Sequence, residues 1–152
     1  MLERIKRLLG PPTSDEGDTP GERLRVATCV LFLEVAHADS EFQEAETVLI
    51  HDLLEKRFDL SSESADELIT LAQQRRDATF DLYQFTKQIN ENFSLAEKLE
   101  MMEGLWRLVY ADSVLDKFED ALMHQLATLL RLSHQQMIAM KVKVLDEMRP
   151  TR

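Results

Sequence analysis

Two matched phrases carry the residues best suited to chemistry. In the first, Ala38-Asp39-Ser40 is followed by an apolar residue three positions after the Asp, Phe42, and by a glutamate seven after it, Glu46. In the second, Ala111-Asp112-Ser113 is followed by Leu115 and Glu119 at the same spacings. The copies lie 73 residues apart, and at that offset Val35 pairs with Leu108, Leu49 with Leu122, Ile50 with Met123, His51 with His124 and Leu53 with Leu126. A repeat of this length marks two similar supersecondary units. Carboxylate oxygens in such a set suit a hard divalent cation, Ca²⁺, Mg²⁺ or Mn²⁺. Beside a cleft, the same pair of acids suits general acid-base work.

On a helical wheel of about 100° per residue, Phe42, Glu46, Leu49, Ile50 and Leu53 fall in one stripe, and Leu115, Glu119, Leu122, Met123 and Leu126 fall in another. Both glutamates are thus expected to point inward. A carboxylate among apolar side chains must be hydrogen-bonded, paired, protonated or metal-bound, because desolvating it alone costs several kcal/mol. Two answers are open. Each acid can serve its own helix corner, capping the unpaired backbone N–H groups there and gaining from the helix dipole. Alternatively, Asp39, Glu46, Asp112 and Glu119 converge and hold a cation. The spacing excludes an EF-hand, which needs ligands at positions one, three and five, a glycine at six and a Glu at twelve.

Other reactive side chains read as structural. His51 and His124 come nine residues after Phe42 and Leu115, about 900° round the wheel, and are expected on the wet face. His37 has Tyr110 as its counterpart and does not repeat. Cys29 sits in the apolar run from Val26 to Val35 and reads as a small core residue. Met101, Met102, Met137, Met140 and Met148 read as packing residues. There is no phosphate-binding glycine loop, His-Glu-x-x-His or nucleophile elbow. The chain is therefore read as a non-enzyme.

The elements that position these residues are all helical. Period-two alternation and β-branched clusters are missing, while serine and threonine punctuate the chain at capping positions. Residues 1–9 form a short amphipathic helix, 10–21 (GPPTSDEGDTPG) a linker with three of the four prolines and three of the four glycines, and 22–148 the helical domain. Thr19-Pro20 opens a first core helix to about Ala38. Ser40 and Ser113 stand at capping-box spacing before Gln43 and Asp116, opening helices to about Phe58 and Arg131. Leu60-Ser61 and Leu132-Ser133 start the helices that follow, to about Arg75 and Met148. Between the units lie a helix near 80–92 and one from Ser94 to about Tyr110, capped by Glu97. The expected fold is an all-α bundle of about seven core helices from two related helical units, plus the N-terminal helix.

At 152 residues the chain is the size of one domain, and its formal net charge of −10 excludes a general nucleic-acid surface. Cations or basic protein surfaces are the expected partners. No run reaches the roughly 18 apolar residues of a membrane span, no signal peptide is present and a single cysteine suits a reducing compartment, so a cytoplasmic location is expected. In residues 1–9, Leu2, Ile5, Leu8 and Leu9 share a face with Arg4, Lys6 and Arg7 around it. That pattern suits docking on protein, or peripheral contact with an anionic membrane.

The doubled Ala-Asp-Ser phrase with a Glu seven after each Asp resembles the TerB family, the tellurite-resistance-associated helical domain, over about residues 22–148. The resemblance implies an all-α fold of two related halves, with the family's acids carried here by Asp39, Glu46, Asp112 and Glu119. It also implies a part in tellurite or other stress resistance, as a metal-binding or adaptor domain rather than an enzyme. The chain departs from the family phrase at Ser40 and Ser113, where glycine is usual, which exchanges left-handed backbone freedom for a side-chain cap. A metal-dependent hydrolase using the same carboxylates and a purely structural adaptor without metal are the alternative readings.

Overall fold

A computed structural model describes residues 19–38, 44–79, 81–111 and 117–148. They form seven helices: α1 (Pro20–Ala38), α2 (Glu44–Phe58), α3 (Ser62–Ala78), α4 (Tyr83–Asn92), α5 (Leu95–Val109), α6 (Lys117–Leu129) and α7 (His134–Met148). Among the described residues there is no strand. The helix of residues 1–9 and the caps Ser40 and Ser113 lie outside the described residues.

Side-chain caps account for the starts of α1, α3, α5 and α7. Thr19 Oγ1 accepts from the Glu22 amide at 3.1 Å, so Pro20 and Gly21 belong to the first turn of α1 rather than to the linker. Ser61 caps α3 by accepting from the Ser64 amide at 3.1 Å. Ser94 and Glu97 form a reciprocal capping box on α5, and Ser133 and Gln136 form another on α7. The helix expected from residue 80 begins later, at Tyr83, because Asp81 takes the Tyr83 amide on its carboxylate at 2.9 Å and turns the chain there. In turn, α3 continues three residues past Arg75.

The second corner of each unit uses a left-handed residue that is not glycine. Asp59 has φ 52° and Arg131 has φ 60°. The next amide closes the turn, Leu60 to Glu55 O at 3.1 Å and Leu132 to Ala127 O at 2.9 Å, the six-to-one bond of a Schellman motif. Left-handed backbone costs an L-residue roughly 1–2 kcal/mol, and Asp tolerates it better than Arg. Arg131→Gly is therefore expected to stabilise the protein by about 0.5–1 kcal/mol, the gain being trimmed by the greater freedom of glycine in the unfolded chain. A rise in the urea midpoint checks it.

The helices α1 and α5 are the two centres. From Val26 to Ala36, α1 is buried on nearly every side, and α5 buries Met101, Met102, Leu105, Trp106, Leu108 and Val109. Each packs the third helix of its own unit, α3 or α7, and they also pack on one another. An ion pair ties the first helix of each unit to its third: Glu34 on α1 meets Arg76 on α3 at 2.8 Å, and Arg107 on α5 meets Glu147 on α7 at 2.5 Å. The α5–α7 seam adds Glu103, which takes Lys143 and Arg107 at 2.7 Å each.

Burial pushes the Glu103 carboxyl up, but the bonds from Lys143 and Arg107 outweigh it and hold the group below its ordinary 4.5. A depressed carboxyl contributes stability that is present above the ordinary value and lost as pH falls through the folded one. Urea midpoints measured downward from pH 5 should fall more steeply for the wild type than for Glu103→Gln.

Candidate functional site

The first unit places one of the four acids firmly. Glu46, the third residue of α2, is only 4% exposed, and its Oε2 is shut off from solvent. Ile50 and Leu54, one and two turns on, are fully buried, with Leu49 and Leu53 partly so. The inward stripe read from the sequence is therefore the face that α2 turns to the core. In the second unit, Met123, Leu126 and Ala127 form the matching buried face of α6, and Leu130 just past its end is buried with them. Glu119 falls within α6, four residues before Met123. Its side chain, with Asp39 and Asp112, lies outside the described residues.

Contacts along α2 fix how the two corners relate. Arg25, near the start of α1, lies over the Phe58 ring at 5.9 Å. The adjacent Arg57 pairs with Glu97 and Glu100 in the first turns of α5 and covers the Phe93 ring just before it at 4.8 Å. Both central helices thus begin beside the end of α2 and run in the same direction. Their far ends, Ala38 and Val109, come immediately before the two Ala-Asp-Ser corners in the chain.

The histidines behave differently from one another. His51 is not on a wet face: its side chain is 19% exposed, because α3 folds back over the outer side of α2. Its Nε2 lies 3.0 Å from Ser62 O and 3.1 Å from Asp66 Oδ1, while Nδ1 lies 3.7 Å from Glu55 Oε1. His124 is 47% exposed, as expected, and stacks on His134 at 5.5 Å. His51, Asp52 and Glu55 bring ligand-type atoms within 4.8 Å of one another. This group was missed in the sequence, where a His-Glu pair at i,i+4 was its only sign. It has no counterpart in the second unit, where Gln125 and Thr128 replace the two acids.

The other reactive groups sit as packing or structural residues. Cys29 is fully buried, and burial pushes its thiol up, which leaves it inert. His37 is held below its ordinary value by burial and by the Arg76 guanidinium. Met101, Met102 and Met137 are core residues and Met140 packs against the core, whereas Met148, expected to pack, is 47% exposed in the last turn of α7.

No helix among the described residues is long and apolar enough to cross a membrane. No curated protein and no solved structure matches the chain. The family model described as tellurite resistance protein TerB matches residues 25–142, from the first turns of α1 into the middle of α7 and across both acidic corners. A match over that span, on a bundle of two related helical units, shows that this chain belongs to the TerB family.

Proposed function

We propose that this TerB-family domain serves a tellurite or wider stress response in the cytoplasm as a non-enzymatic interaction module. In this reading Asp39, Glu46, Asp112 and Glu119 hold one divalent cation between the two corners. The observation that carries it is Glu46, a carboxylate 4% exposed on the core face of α2 and the third residue of that helix. The donor set fits a hard ion: all oxygen, four formal negative charges and no soft ligand. Bound there, Ca²⁺, Mg²⁺ or Mn²⁺ would neutralise the acids and clamp the two units together. The acidic surface then favours a partner with a basic face, and residues 1–9 offer a second docking element. A hydrolase would need a water beside these acids, and the sealed Oε2 of Glu46 speaks for a holding role at that atom.

Thermal melts in EDTA, Ca²⁺, Mg²⁺ and Mn²⁺ test this, run beside the Asp39→Asn/Asp112→Asn double variant. An ion at a hundred times its dissociation constant should stabilise the wild type by about 2.7 kcal/mol and leave the variant unmoved. If no ion shifts the wild type, the acids serve only as corner caps and the cation reading fails.

A further inference from the structure

We propose that the outer side of α2 binds one Zn²⁺ through His51, Asp52 and Glu55, a site separate from the acidic corners. Ligand-type atoms of the three side chains lie within 4.8 Å of one another, so small side-chain movements bring them to the spacing of a zinc ion's ligands. His51 and Glu55 stand four residues apart on one helix, the spacing at which two side chains of one face share a zinc ion. Asp52 is exposed, and the His51 and Glu55 side chains are 19% and 32% exposed, so water reaches the site. Three protein ligands then leave the fourth position of a tetrahedral ion to that water.

The far edge of the imidazole carries the argument. His51 Nε2 lies 3.0 Å from Ser62 O and 3.1 Å from Asp66 Oδ1, both on α3. A carbonyl oxygen only accepts, so Nε2 holds the proton and donates it across the helix seam. In the neutral ring Nδ1 then keeps its lone pair, and that lone pair faces Glu55 Oε1 at 3.7 Å. Two lone pairs set against each other call for a cation between them. An imidazole that donates from one nitrogen to a carbonyl or carboxylate and leaves the other bare is the form that ligates metals, and here the groups that fix it belong to a different helix from the ligands. Among the described residues Asp52 has no ion pair or hydrogen bond, Glu55 has only His51, and no lysine or arginine pairs with either acid. One nitrogen with two carboxylates suits Zn²⁺, whereas Mn²⁺ stands at the weak end of the affinity order for such a set and Ca²⁺ and Mg²⁺ prefer oxygen alone.

Equilibrium dialysis of the full chain against Zn²⁺ in excess Mg²⁺ tests the proposal, in the Asp39→Asn/Asp112→Asn background so that the corners take no part. That protein should retain one saturable zinc equivalent. Adding His51→Gln, or Asp52→Asn, which leaves the bonds to Ser62 and Asp66 in place, should each weaken zinc at least tenfold. Adding His124→Gln should change nothing, and circular dichroism checks that every variant is folded. The proposal is overturned if the background protein takes up no saturable zinc, the result expected of an imidazolium that only ties Glu55 to Asp66. It is equally overturned if His51→Gln or Asp52→Asn binds as tightly as its parent, or if His124→Gln is the change that removes zinc.

Discussion

Trp106→Ala should cost about 3–5 kcal/mol, the largest loss expected from any single side chain. Trp106 is fully buried in the last turn of α5, and its Nε1 donates to Met137 O of α7 at 3.1 Å. Its ring stacks on Tyr110 with centroids 6.0 Å apart and lies beneath the Lys141 ammonium at 5.3 Å. Truncation leaves a cavity where the second unit closes on its central helix, and domains of this size have only about 5–15 kcal/mol in total. Trp106→Phe keeps much of the packing, and its loss of the indole bond should cost about 0.5–1.5 kcal/mol. Urea unfolding followed by circular dichroism measures both, since Trp106 is the only tryptophan and its fluorescence is lost in the variants. A loss below 1 kcal/mol for the alanine variant would mean that α5 does not organise the second unit.

The second large effect is conditional on an ion. Glu46→Gln keeps the volume and one acceptor oxygen but removes the charge that a cation needs. The wild type should gain about 2.7 kcal/mol at a hundred times the dissociation constant of the preferred ion, and Glu46→Gln should gain almost none of it. Were Glu46 only a corner cap, the amide would still accept a hydrogen bond. The variant would then lose on the order of 1 kcal/mol, equally in EDTA and in metal.

Much of the fold was legible because its signals are local. The caps at Thr19, Ser61, Ser94 and Ser133 need only neighbours three residues away, and the ends of α1 and α2 fall at the expected Ala38 and Phe58. The 73-residue offset found the two units, and the inward stripe of α2 found Glu46. Periodicity on one helix failed where a second helix decided the outcome. His51 lies opposite the core stripe, yet α3 covers it, while the same position on α6 leaves His124 half in solvent. The offset also slips from 73 at the acids to 72 at the Leu-Ser corners, so the second copy of this helix and its turn is one residue shorter.

Whether the doubled acidic corner holds one cation is tested most directly by equilibrium dialysis against Mn²⁺. The wild type should take up one saturable equivalent per chain, and the Asp39→Asn/Asp112→Asn variant should take up none while retaining the helical circular dichroism of the wild type. No saturable Mn²⁺ in the wild type, with Ca²⁺ and Mg²⁺ equally silent, or equal uptake by the folded variant, would contradict it.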